Sequence, residues 1–232
     1  MKALLFDVFG TVVDWRSSVA DELQAVFAPR GVVRDWPQVA TAWRAMYQPA
    51  MEEIRARRRR FVLLDQLHRE NLERLLRAHD LGALPEADMD HLNRAWHRLR
   101  PWPDCVAGLS RLRARHVLAT ASNGNVALMV NLARFGGLPW DAVLGAEFTR
   151  SYKPDPQTYL GTAAALGLAP GDCTMVAAHN DDLRAARDLG FGTAFVCRPT
   201  EHGPGQTTDL RPEDDWDFVT DSMTGLAGLL GC

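Results

Sequence analysis

With 232 residues, 47% of them hydrophobic and 24% charged, the chain has the composition of a globular protein with a sizeable buried core. Its net charge of -3 argues against nucleic acid or an anionic membrane surface as partner, and no run approaches the ~18 apolar residues that span a bilayer. Asp7 breaks the N-terminal apolar stretch, against a secretory signal, and four cysteines without C-x-x-C spacing read as reduced thiols of a cytoplasmic protein.

Residues 2 to 7 are predicted as a strand, closed by the glycine turn of "DVFGT". Residues 15 to 99 are predicted to be helical throughout. Four stripes repeat at helical spacing: Val19, Leu23, Val26 and Phe27; Val39, Trp43, Met46, Ala50 and Ile54; Phe61, Leu64, Leu67, Leu72, Leu75 and Leu76; and Met89, Leu92, Trp96 and Leu99, opened by Pro85. They predict a small bundle of four helices. The "RARRRR" run at 55 to 60 reads as a solvated helix face, since the chain as a whole is acidic.

From Pro101 the rhythm changes. "HVLATAS" (116–122), "CTMVAA" (173–178), "TAFVCR" (193–198) and "DFVT" (217–220) predict strands. "DCVAGLSRLRA" (104–114), "DPQTYLGTAAALG" (155–167), "DDLRAARDLG" (181–190) and "SMTGLAGLL" (222–230) predict helices between them. Such alternation predicts an α/β fold with a parallel sheet covered on both faces, its first crossover interrupted by the helical bundle. This divides the chain into residues 1–14 and 100–232 for the sheet and 15–99 for the bundle. The stretch 198–215, rich in Pro, Gly and Thr, is predicted as a surface loop.

Ligands of an open parallel sheet sit beyond the carboxyl ends of its strands, where Asp7, Ser122 and the turn "AAHNDD" (177–182) fall. In D-x-x-G-T-x-x-D, Gly10 permits a tight turn and Thr11 sets a hydroxyl beside the acid. A carboxylate so placed either caps a turn or acts as a covalent nucleophile. Phe9 stands two positions after Asp7 and cannot donate a proton to a leaving group.

Asp7-Val8-Phe9-Gly10-Thr11, Ser122-Asn123 after an apolar strand, Lys153 in "SYKPDPQTY" and the turn ending in Asp182 together resemble the haloacid dehalogenase superfamily. The resemblance implies a Rossmann-like core with the helical segment as an inserted cap. Metal-dependent phosphatases of that superfamily carry a second acid where Phe9 stands and a Gly-Asp where Ala177-Ala178 stand, and alanine offers a hard cation no oxygen. The chain is more similar to the L-2-haloacid dehalogenase group, which uses neither metal nor cofactor. That resemblance implies that Asp7 attacks a small 2-halocarboxylate and that water hydrolyses the resulting ester; whether fluoroacetate falls in the range depends on how tightly Arg44, His179 and the cap aromatics enclose the halogen. Lys153 is then expected beside Asp7, Asp182 near the hydrolytic water, and Arg44 in the cap around the halide or carboxylate. Ser122 and Asn123 either bind substrate or shape a turn. Tyr159 either lines the site or packs in the core, and Trp15 and Trp43 are the tryptophans expected near an apolar pocket. His179, where relatives carry Asn, donates to Asp7 or to a halide, assists the water as a base near neutral pH, or caps the next helix. A phosphatase, a hydrolase of a small cyclic acid and a binding protein on this scaffold are the alternatives, and a homodimer is allowed.

Overall fold

The computed structural model describes residues 2–232. Strand β1 (Ala3–Phe6) is buried at all four positions, as a central strand flanked by helices on both faces must be. It pairs in parallel with β4 (Val117–Ser122), setting Leu5 opposite Ala119, and with β6 (Cys173–Ala177), setting Leu5 opposite Met175. Adding β5 (Ala142–Gly145), β7 (Gly192–Val196) and β8 (Phe218–Thr220) gives a six-stranded sheet in the order β5-β4-β1-β6-β7-β8, parallel throughout. β5 is absent from the sequence reading. Its apolar run, Ala142 to Leu144, is only three residues long and half buried, too short to mark a strand by periodicity.

The two faces of the sheet divide the core. Leu4 and Phe6 point to the side of α6 (Cys105–Arg113), α7 (Val126–Gly136) and α11 (Met223–Leu229), packing with Leu109, Leu128 and Met223. Ala3 and Leu5 point to the other side, where α9 (Pro156–Ala165) and α10 (Asn180–Arg187) bring Tyr159, Ala163, Leu183 and Ala186. A short helix, α8 (Ala146–Thr149), follows β5. Strand order reverses at β1, with β4 on one side and β6 on the other, and Asp7 emerges at this switch point.

The helical insertion leaves and returns through one narrow neck. β2 (Val13–Asp14) pairs antiparallel with β3 (Arg100–Pro101), and between them run α1 (Trp15–Phe27), α2 (Trp36–Ala45), α3 (Tyr47–Arg55), α4 (Leu64–Ala78) and α5 (Glu86–Asn93). Asp14 and Asp35 cap α1 and α2, accepting from Ser17 N and Gln38 N. Five helices replace the four expected, because the second stripe breaks at Met46. Pro49 has no N–H and its ring excludes the carbonyl four residues earlier, so it is accommodated in the first turn of a new helix. The fourth stripe also ends early: α5 stops at Asn93 and a 3₁₀ turn, Arg94–His97, carries Trp96. The basic run is not one helix face, for α3 ends at Arg55; Arg58 pairs with Glu53 and Arg59 with Glu70.

The 198–215 stretch is more than a surface loop. Arg198 and Glu201 are 7% and 1% exposed. Arg198 makes two bonds to Asp104 and donates to Thr11 O, pinning the loop against the turn that follows Asp7. Cys105, Cys173, Cys197 and Cys232 are all free. No helix among the described residues is long and apolar enough to cross a membrane.

Candidate active site

Asp7 leaves β1 with its N–H donating to Val176 O on β6, which fixes the direction of its side chain. Each carboxylate oxygen has its own donors. Lys153 Nζ donates to Oδ1 at 2.8 Å, and Thr11 Oγ1 donates to Oδ2 at 2.8 Å. Thr11 Oγ1 in turn accepts from Ala178 N, so the hydroxyl cannot turn away. On the same side His179 Nδ1 lies 3.3 Å from Oδ2.

Lys153 is held from both ends. Its backbone N–H donates to Asn123 Oδ1, and its ammonium also donates to Asp182 Oδ2 at 2.5 Å. The second oxygen of Asp182 accepts from Tyr159 at 2.5 Å. Asp182 thus anchors Lys153, and each of its oxygens, with one donor engaged, keeps a further acceptor site at the cavity it lines. Tyr159 combines both sequence readings: its ring packs in the core and its hydroxyl reaches the site.

On the far side, His179 Nε2 meets Glu201 Oε2 at 2.9 Å, and Trp15 Nε1 donates to Glu201 Oε1 at 2.9 Å. Arg44, from α2, lies with its guanidinium carbon 3.9 Å from the Tyr47 ring centroid and 5.6 Å from those of Phe9 and Trp15. Its Nη1 is buried without a hydrogen-bond partner. These groups face a cavity of about 840 Å³ whose wall includes Asp7, Trp15, Arg44, Tyr47, Asn123, Lys153, Tyr159, His179, Asp182 and Glu201.

Three expected residues stand behind that wall. Ser122 is fully buried and its Oγ accepts from Gly124 N, so it shapes the turn that aims Asn123. Phe9 is buried edge-on against Tyr47 and Trp96, forming the floor beneath Arg44. Trp43 is buried and donates to His68 O. His179 makes no side-chain cap to α10. Its neighbour Asn180 instead ties the turn to Asp209, Arg211 and Trp216.

Burial alone would raise the Asp7 carboxyl, but Lys153 and His179 overcome it and hold the group well below the usual carboxylate range. Burial disfavours the Lys153 ammonium, yet Asp182 and Asp7 together keep it protonated. For His179, burial works against the charged ring, while Glu201 and Asp7 push it well above the ordinary histidine value. That direction favours the charged ring. Burial likewise raises Glu201, and His179 more than offsets it.

The donor set does not fit a divalent cation. Lys153 already bonds both Asp7 and Asp182, Ala177 and Ala178 supply no side-chain oxygen, and among the described residues no group of three His, Cys, Asp or Glu is placed to hold a metal. What the arrangement offers is an ionised, buried carboxylate and a guanidinium with one unbonded nitrogen lining the same cavity, which suits displacement of an anion from carbon. Sequence reasoning missed Glu201 and Tyr47. Glu201 sits in a Pro- and Gly-rich stretch 186 positions from Trp15, and no local pattern marks it. Tyr47 had the signal of standing three residues after Arg44, across one helix break.

The haloacid dehalogenase-like hydrolase family model matches residues 1–190. Among solved structures, the L-2-haloacid dehalogenase PA0810 is 48% identical with a TM-score of 0.96, covering 100% of this chain and 99% of its own. The defluorinating L-2-haloacid dehalogenase Rha0230 is 46% identical with a TM-score of 0.97, covering 100% and 96%. The L-2-haloacid dehalogenase of Xanthobacter autotrophicus, solved with chloropropionic acid covalently bound, is 25% identical with a TM-score of 0.82, covering 100% and 98%.

Proposed function

The chain belongs to the haloacid dehalogenase-like hydrolases, and on that footing we propose that it hydrolyses small L-2-haloalkanoic acids to 2-hydroxy acids through an ester on Asp7, without a metal. The observation that carries the reading is the Asp7–Lys153 pair at 2.8 Å, which seats a protein cation against the nucleophile, with Phe9 where an acid for an oxygen leaving group would stand. Halide leaves as a stable anion and needs no proton.

In this reading Asp7 attacks C2 and the carbon–halogen bond breaks. Lys153 and Thr11 orient the carboxylate, Asp182 and Tyr159 hold Lys153, and Asn123 fixes the lysine backbone. The unpartnered Nη1 of Arg44 receives the halide or the substrate carboxylate, and Trp15 with Tyr47 walls the apolar side. Residues 15–99 act as a cap over a core of 1–14 and 100–232. Fluoroacetate falls within the proposed range, supported by the likeness to a defluorinating relative. Four free thiols suit a cytoplasmic location, and a homodimer is the assembly we propose, to be tested by sedimentation.

The test is halide release from L-2-chloropropionate, chloroacetate and fluoroacetate in EDTA, with Asp7→Asn alongside. Release that survives EDTA and is lost in the variant is the expected outcome. A single turnover in H₂¹⁸O should give product whose new hydroxyl oxygen comes from Asp7; solvent oxygen there would refute the covalent route.

A further inference from the structure

Resting on the covalent dehalogenase reading, we infer that Glu201 is a positioning residue that holds His179 as an imidazolium against Oδ2 of Asp7. With Thr11 it completes a two-donor pocket for the negative charge that develops on that oxygen during ester hydrolysis.

The geometry of the ring carries the inference. His179 places Nδ1 3.3 Å from Asp7 Oδ2 and Nε2 2.9 Å from Glu201 Oε2. A neutral imidazole has one N–H and can donate to one carboxylate; a ring set at hydrogen-bond distance from Glu201 and at ion-pair distance from Asp7 is best satisfied with both nitrogens protonated. Glu201 itself is 1% exposed, with Oε1 taken by Trp15. The chain makes room for it independently: Gly10 has φ +87, and a Cβ there would overlap the Glu201 carboxylate.

Oδ2 already accepts from Thr11, so its two donors mark it as the oxygen that stays on Cγ while Oδ1 forms the ester. Water adds to Cγ and the carbonyl electron pair moves to Oδ2. The Cγ–Oδ1 bond then breaks, and Oδ1 leaves as the hydroxyl oxygen of the 2-hydroxy acid with one proton of the water. The second proton goes to solvent, and Asp7 is regenerated from Oδ2 and the water oxygen. Once Asp7 is an ester it no longer holds the proton on His179, and Glu201 is the anion that remains. Other charged or titratable groups around the ring are Lys153, which is bonded to Asp7, His202 beside Glu201, and Arg44 across the cavity. The anions nearby besides Glu201 have other partners: Asp182 bonds Lys153 and Tyr159, Asp181 pairs with Arg184, and Asp209 accepts from Asn180.

The experiment is rapid-quench halide release from L-2-chloropropionate by wild type and Glu201→Gln between pH 6 and 9. The variant should release a burst of about one halide per site, then turn over about 10²-fold more slowly than wild type, the scale of one lost oxyanion donor. Intact mass should show the substrate acyl group retained on the protein. Its slow rate should fall further as pH rises through the ordinary histidine range near ~6.5, while wild type keeps its rate there. A rate that rises with pH would make His179 a base and overturn the inference, as would an unchanged rate or a loss with no burst. As a check on wild type itself, ¹⁵N-histidine spectra at pH 8, with His179→Asn to identify the signal, should show both ring nitrogens protonated; a single N–H overturns it. Absence of halide release by wild type would sink the dehalogenase reading and the inference together, whereas turnover by wild type with no burst in the variant sinks the inference alone.

Discussion

Replacing Lys153 by Met is the most informative single change. Its ammonium lies 2.8 Å from Asp7 Oδ1 and 2.5 Å from Asp182 Oδ2, with all three side chains at most 10% exposed. At an effective dielectric of ~20, each attraction at ~4 Å is worth about 4 kcal/mol, against several kcal/mol to desolvate the ammonium. Removing the cation leaves two buried carboxylates facing each other, and stranding a buried charge in this way costs roughly 3–5 kcal/mol. For a chain of this size each kcal/mol moves Tm by about 2–4 °C, so the variant should melt roughly 6–20 °C below wild type at pH 7.5. The pH dependence supplies the sharper criterion. Asp7 is depressed in the folded wild type, so its stabilisation is present above the ordinary carboxylate range and is lost only as pH falls through its depressed folded value. In the variant that depression is weakened, and one of the stranded acids binds a proton on folding at mildly acid pH. Its stability therefore rises from pH 7.5 to pH 5 relative to wild type, and the gap in Tm, read by calorimetry at both values, should narrow. A variant that melts with wild type at pH 7.5, or a gap that does not narrow at pH 5, would refute the reasoning.

Three further outcomes are expected. Arg44→Met should lower halide release by about 10²-fold or more while Tm stays level or rises, because Nη1 has no partner to strand. Tyr159→Phe removes a hydrogen bond to a charged acceptor and should cost about 1.5–3 kcal/mol in denaturant melts, with roughly tenfold slower turnover, since Asp182 then anchors Lys153 less firmly. Gly10→Ala meets both a positive φ and the Glu201 carboxylate; it should destabilise by at least about 1–2 kcal/mol and reproduce the burst kinetics of Glu201→Gln.

The parallel sheet was legible because its inner strands are continuous apolar runs; β1 and β6 are buried at every position. β5 was not, because an edge strand with half-buried side chains carries no periodic signal. The helix break at Met46 was there to be read in Pro49, but the apolar stripe runs on across it and hides it. At the site, Asp7 and Thr11 stood out because their motif sits at a strand end, and Lys153 and Asp182 because of their places in the family resemblance; the fold brings the four together. Ser122 and Phe9 share that motif logic yet turn away from the cavity, since a residue at a strand end faces either the ligand or the core and spacing alone does not choose. Glu201 belongs to neither pattern. Its role comes from Arg198 pinning a loop whose composition looks like solvent-exposed chain.

The antiparallel neck of β2 and β3 has a consequence for how such a molecule varies over generations. Asp7 and His179 are delivered by the ends of sheet strands or the turns after them and Lys153 by the segment between α8 and α9, whereas Arg44 and Tyr47 ride on helices joined to the sheet by two short stretches of chain. A substitution or an extra turn in those helices can resize the pocket without shifting any register in the sheet. On the proposed reading, selection of the molecule to be cut and the making and breaking of bonds therefore reside on parts of the chain that can change independently, and new substrates can be tried while the reacting groups stay fixed.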